Sequence, residues 1–347
     1  MTVPDSPSTA FPARSGPMPT LSVLDLAPVV QGSTPAQALR NSLDLAQHVE
    51  QLGYHRYWVA EHHNMPGIAS SSPAVLLAHI ASVTDTIRIG SGGVMLPNHA
   101  PLAVVEQFGM LEALHPGRVD LGIGRAPGTD ALTAHALRRG NGVRGADDFP
   151  DQLDQIFGFF NDDFAPDHPY RTIHASPGRG YQPDVWLLGS SDYSARAAAA
   201  LGLPFSFAYH FAVDGLEIAL DAYRSNFRPS LHLAEPYVML GVNAVAAETE
   251  SRARYLAAPG ALAIMRLRQG RPGLYPTAEE AAEYSYTPSE REFVRSWTAS
   301  HVVGTQDAVR AGLVDLAART GADELMITTM VPDHDERIRS YELIAKV

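Results

Sequence analysis

The chain has 347 residues, no cysteine and a formal net charge of −12, long enough for one large α/β domain or two smaller ones. The acidic balance argues against nucleic acid and anionic membrane surfaces, and no apolar run approaches the ~20 residues a membrane helix needs. The missing cysteine excludes disulfides, thiolate catalysis and cysteine-ligated metal, and it fits a cytoplasmic protein.

Residues 1–20 are rich in Pro, Ser and Thr without an apolar middle, which predicts a disordered tail rather than a signal peptide. Leu21–Asp25 reads as a short strand. Thr34-Pro35-Ala36-Gln37 then has the capping-box form with Pro at the first helical position, and Leu39, Leu43, Ala46, Val49 and Leu52 follow at helical spacing. Gly53 ends that helix, and Tyr57–Ala60 is the next strand. The same unit of helix, glycine and buried strand recurs at Gly202 into Phe205 and at Gly321 into Leu325, the glycine suiting the left-handed position that stops a helix.

Further strands are expected at Ile87–Leu96, Val119–Gly124, Val185–Gly189 and Val238–Ala246. Helices are expected at Pro73–Val83, Pro101–Leu114, Asp151–Asn161, Ser194–Leu201, Leu216–Phe227 and Asp307–Arg319. Eight strands, nearly all followed by helical sequence, predict a parallel (β/α)8 TIM barrel with insertions, a single domain over 21–347. An open doubly wound sheet is the alternative, and no Gly-x-Gly-x-x-Gly turn follows the first strand to support it. Arg139–Asp148 and Asp163–Pro183 read as loops. The stretch 255–303 is an insertion, either a lid or an oligomer contact.

The third strand, Ile87-Arg88-Ile89-Gly90-Ser91-Gly92-Gly93-Val94-Met95-Leu96-Pro97, accepts three glycines, which pack nothing and lose the most entropy on ordering. Either a bulge or crowded barrel interior requires them, or a flat ligand lies against the bare backbone.

In such barrels chemistry sits at the carboxyl ends of the strands. Those ends carry Asp25, Glu61-His62-His63, Gly92-Gly93, Gly124-Arg125, Gly189-Ser190-Ser191, Tyr209-His210 and Thr328-Thr329. Adjacent strand residues point to opposite faces, so a plain reading has one inward histidine and one in solvent. An imidazole at such an end can give and take a proton near neutrality; no ligand spacing marks a metal site, and none is expected. Arg125 is a rigid donor fork suited to phosphate, or else a surface ion-pair partner. Gly189–Ser194 passes from strand into helix, where free N–H groups make a phosphate site, although the serines would equally serve as caps. Arg125 and this turn together suggest one phosphate held from two sides.

Four segments in this order resemble the bacterial-luciferase-like flavin-dependent monooxygenases: Trp58–His63, Gly90–Pro97, Pro116–Arg125 and Leu188–Ser191. The resemblance implies a (β/α)8 barrel binding reduced FMN at its mouth, and a non-proline cis peptide at Gly92-Gly93 supporting the flavin ring. Arg125 with Gly189, Ser190, Ser191 and Tyr193 would hold the phosphate, His62 would be the active-site histidine, and Glu61 would brace the site. It further implies O2 as co-substrate, a flavin C4a-hydroperoxide, and oxygenation of a small organic substrate by hydroxylation, epoxidation or Baeyer–Villiger insertion. Reduced flavin would come from a separate reductase, and a homodimer would form through the helices after the second and third strands. Luciferase has a cysteine where this chain has Gly124 and an acidic residue where it has Gly189, so the long-chain aldehyde substrate is not carried over. Related barrels use F420 for hydride transfer, which makes an F420-dependent oxidoreductase the alternative, and a flavin-binding protein without turnover the second.

Overall fold

A computed structural model describes residues 18–138 and 148–345. Most of the expected tail, residues 1–17, and most of the expected loop at 139–148 lie outside the described residues. Ten strands are β1 (Thr20–Asp25), β2 (Arg56–Val59), β3 (Arg88–Ser91), β4 (Val94–Met95), β5 (Val119–Gly124), β6 (Asp184–Gly189), β7 (Phe205–Phe207), β8 (Val238–Ala246), β9 (Val302–Gly304) and β10 (Glu324–Thr328). All pairings are parallel, in the order β10-β1-β2-β3-β5-β6-β7-β8, and β10 also pairs β8, so the sheet closes into the expected eight-stave barrel. Thr20 opens β1, so the first strand reaches into the stretch expected to be tail.

The third stave is broken. β3 and β4 both pair β5, but Gly92 and Gly93 separate them, joined by a cis peptide bond. The single strand expected over Ile87–Leu96 is therefore two short ones, and Leu96–Asn98 turns into a 3-10 helix. Crowding accounts for the missing side chains. A Cβ on Gly90 would sit 2.5 Å from Trp58 Nε1, on Gly92 2.7 Å from Leu24 Cδ1, on Gly93 2.8 Å from the Gly122 oxygen, and on Gly122 2.1 Å from the Ser91 oxygen.

Helices α1 (Pro35–Gln51), α2 (Pro73–Val83), α3 (Pro101–Leu114), α4 (Ala131–Arg138), α5 (Phe149–Asn161), α6 (Asp192–Leu201) and α7 (Leu216–Asn226) precede β8, α11 (Gln306–Thr320) lies between β9 and β10, and α12 (His334–Ala345) ends the described chain. Thr34 caps α1 by accepting from the Gln37 amide, but the Gln37 side chain bonds Asn41 instead of returning to the cap. Gly202 and Gly321 stop α6 and α11 in the left-handed conformation, at φ 62° and 61°.

The insertion between β8 and β9 is helical: α8 (Glu250–Arg268), α9 (Ala278–Glu283) and α10 (Pro288–Thr298). It is sewn to the carboxyl-end loops of the barrel. Tyr275 exchanges backbone bonds with Val29 and Gln31, and its hydroxyl donates to the Met330 oxygen at 2.6 Å. β9 then adds to the carboxyl end of β8, Ala244 facing Val302. Among the described residues no helix is long and apolar enough to cross a membrane.

Inside the barrel the amino end is an ionic floor. Arg56 reaches Asp120 and Glu324, both at 2.8 Å, and Asp120 also takes Arg88 and, at 2.9 Å, Trp58 Nε1. Above it lies an apolar plate of Leu24, Trp58, Trp186, Met239 and Met326, with the two indoles edge to face at 5.3 Å. Asp25 stands at a strand end but turns outward, pairing with Arg337 at 2.6 Å and accepting from Tyr57 at 2.6 Å. It joins β1 to the helix layer and takes no part in the mouth.

Candidate active site

Two of the expected groups meet at one side of the mouth. Arg125, just past β5, stacks its guanidinium on the Tyr193 ring at 4.0 Å from the centroid. Tyr193 lies in the first turn of α6. Among the described residues Arg125 has no carboxylate partner, so the surface ion pair weighed for it does not form. Gly189 ends β6 where a Cβ would lie 2.7 Å from both Cβ and Oγ of Ser194, so only glycine lets the chain fold into the helix so tightly. Ser191 occupies the N-cap with φ −147° and ψ 172°, yet its hydroxyl makes no capping bond. Ser190 and Ser191 are exposed, leaving two hydroxyls, the first N–H groups of α6 and a guanidinium directed at the same region. Asp192 adds an opposing charge, which Arg196 offsets at 3.2 Å.

Across the mouth, Glu61 and His63 share one face of the chain leaving β2, and His62 takes the other. Glu61 is fully buried; its Oε1 accepts from His63 Nε2 and from His99 Nε2, each at 2.8 Å, and its Oε2 accepts from the Met95 amide at 3.0 Å. Burial alone would raise this carboxyl, but the bonds from His99, His63 and Met95 outweigh it and hold it below its usual range. Glu61 therefore braces the end of β2 against the end of β4.

His62 is part-buried, with Nδ1 3.3 Å from the Gly128 oxygen. Burial lowers its pKa below the usual imidazole value, although the Gly128 carbonyl and the Glu61 charge pull the other way. The plain expectation of one solvated histidine fails: His62 and His63 are both part-buried and both hydrogen-bonded.

Three further polar side chains complete this rim, and sequence reading had assigned them no role. Asn243, near the end of β8, donates to the His210 carbonyl at 2.6 Å and to His301 Nε2 at 2.9 Å. His301 stacks edge to face on Trp297 of the insertion at 4.2 Å. Burial drops His210 to about 4 and His301 to about 3, so both rings are neutral at pH 7. Among the described residues Thr328 Oγ1 is buried without a hydrogen-bond partner, and the His210 ring lies against the Gly241 backbone. His210 was visible at its strand end; His99, Asn243 and His301 carry no local signal, because folding brings them in from separate segments.

The profile of the luciferase-like monooxygenase family matches residues 19–324. The chain is 46% identical over 326 residues to a luciferase-like monooxygenase of Escherichia coli (strain K12), covering 94% of this chain and 96% of that one. It is similar to the crystal structure of apo-MsnO8, with a TM-score of 0.82 and 38% identity over 95% of this chain and 97% of that one. At the level of fold it is also similar to the FMN complex of the oxygenating constituent of 3,6-diketocamphane monooxygenase, a type II Baeyer–Villiger monooxygenase from Pseudomonas putida. There the TM-score is 0.72 and the identity 18%, over 95% of this chain and 98% of that one. The barrel, the strand-end groups and these matches agree, and the chain belongs to the luciferase-like monooxygenase family.

Proposed function

We propose that the protein is an FMN-dependent monooxygenase that uses reduced flavin and O2 to place one oxygen atom in a small organic substrate, the other leaving as water. Hydroxylation, epoxidation and Baeyer–Villiger insertion all fit this balance. The observation that carries the reading is the meeting of Arg125, Tyr193 and the uncapped start of α6 at the carboxyl end of the barrel. Exposed hydroxyls, the first N–H groups of α6 and a guanidinium without a carboxylate partner among the described residues fit the phosphate of FMN. The FMN bound by the fold-level relative supports the same cofactor. Reduced FMN, when bound, supplies the electrons and the oxygen-activating chemistry.

The chain's own residues position the cofactor and supply a base. Arg125, Ser190, Ser191 and the Gly189–Tyr193 turn anchor the phosphate. Gly92 and Gly93 present bare backbone beside the barrel axis, and Glu61 fixes the strand end that carries His62. A carbonyl only accepts, so the proton of neutral His62 sits on Nδ1 facing Gly128, and Nε2 remains as a base. The insertion, joined to the mouth through Tyr275, His301 and Trp297, shields the site from water as a lid. A separate reductase delivers the reduced flavin in the cytoplasm. Exposed Val75 on α2 and Met110 and Leu114 on α3 support a homodimer through these helices.

Anaerobic titration with reduced FMN, in parallel with reduced F420, followed by admission of O2, tests the proposal. Saturable binding of reduced FMN and oxygen-dependent reoxidation coupled to product support it. Preference for F420 without oxygen uptake replaces it with hydride transfer, and binding of neither removes the phosphate site.

A further inference from the structure

We propose that Glu61, His63 and His99 form a site for one divalent cation of the zinc class. Each offers one ligand atom, and these atoms lie within 4.8 Å of one another. They come from two segments, the chain leaving β2 and the chain following the 3-10 turn after β4, so the site exists only in the folded barrel.

Glu61 is fully buried, and among the described residues its side-chain partners are two imidazoles, charged only if protonated, and the Met95 amide, with no Arg or Lys. A buried carboxylate is ordinarily paired with a full positive charge or with a metal. Two imidazole nitrogens and one carboxylate oxygen are a donor set that suits zinc-class ions rather than magnesium or calcium.

Geometry and access agree. Glu61 Oε1 lies 2.8 Å from each Nε2. A tetrahedral ion about 2.1 Å from each ligand needs ligand atoms about 3.4 Å apart, a change within the reach of side-chain rotation. Glu61 Oε2 is already oriented by the Met95 amide, the kind of outer bond that fixes a ligating carboxylate. The His63 and His99 side chains are 16% and 31% exposed, which leaves a way in for the ion and a fourth position for water. On loading, each neutral imidazole moves its proton from Nε2 to Nδ1, so neutral rings release no proton.

Metal binding is measured without flavin. The full-length protein, stripped with chelator and dialysed, is titrated with Co2+ while visible absorbance is followed, and with Zn2+ by calorimetry and thermal melting. The proposal expects one equivalent per chain, a ligand-field band and a raised melting temperature. His63→Gln and His99→Gln retain a donor to Glu61, so the hydrogen-bonded cluster and the fold survive; each is expected to weaken binding roughly tenfold or more. His79→Ala, on the exposed face of α2, leaves binding unchanged. No saturable binding, weak binding of several equivalents, or unaltered affinity in both glutamine variants overturns the site and leaves a hydrogen-bonded cluster only.

Discussion

The guanidinium of Arg125 lies 4.0 Å above the Tyr193 ring, so the end of β5 and the start of α6 are held together by a cation resting on an aromatic face. This contact orients the arginine without neutralising it. Arg125→Ala is expected to weaken reduced-FMN binding by about 10- to 100-fold, the ~1.5–3 kcal/mol of a charged hydrogen bond. Tyr193→Ala removes only the platform and should cost about threefold, while Tyr193→Phe keeps it and should change little. Anaerobic titration of the three variants checks the order, and an unaltered affinity in Arg125→Ala would take the arginine out of the cradle.

His62→Ala is expected to lower turnover by ~10²-fold or more, as loss of a positioned acid or base does, with FMN affinity within about threefold of the parent. Because burial lowers the His62 pKa, its base form persists below the usual imidazole range, and the acid limb of the pH–rate profile should fall below pH 6.5. Equal turnover in the variant would exclude His62 from the reaction.

Stability should fall on mild acidification. His210 titrates at about 4 in the folded chain against 6.5 when unfolded. Between these values the unfolded chain binds the extra proton, so stability rises with pH across the window, is complete above 6.5 and levels off below about 4. The full difference is at most ~3 kcal/mol for His210, and His301 adds in the same direction. Melting temperatures at pH 7 and pH 5 measure this, and His210→Gln should flatten the slope. A parent protein equally stable at both values would show that these rings are not held neutral.

The barrel interior yields three stability predictions. Asp120→Ala leaves Arg56, Arg88 and the Trp58 N–H without their shared acceptor, at a cost of ~3–5 kcal/mol. Gly122→Ala drives a Cβ to 2.1 Å from a backbone oxygen that cannot yield, so soluble folded protein should be lost. Gly124→Ala meets Met95 Sδ first, at 3.1 Å on a flexible side chain, with the Val94 oxygen no nearer than 3.9 Å, and should be tolerated. The yield of soluble protein checks Gly122→Ala, and denaturant melts compare Asp120→Ala and Gly124→Ala with the parent.

Much of this was legible in the sequence, for local reasons. α2 and α3 match the expected Pro73–Val83 and Pro101–Leu114, because a proline at the first helical position and an unbroken apolar face mark their bounds. β8 matches Val238–Ala246 for a mostly apolar run that Gly241 and Asn243 interrupt. Gly90, Gly92 and Gly93 of the third stave announced a tight place, and Leu24, Trp58 and the Gly122 backbone fill it. What stayed hidden depends on distant contacts. β9 has only three residues and pairs at the end of β8. His99 meets Glu61 because the 3-10 turn redirects the chain. The helical content of the insertion had a signal, since Thr287-Pro288-Ser289-Glu290 repeats the form seen at Thr34 and closes a full capping box on α10.

The ionic floor and the indole plate seal the amino end of the barrel, while every polar group of the mouth opens at the other. Floor and mouth are therefore separate structures within one barrel: substitutions in the floor act on folding, and substitutions at the mouth act on what the strand ends hold.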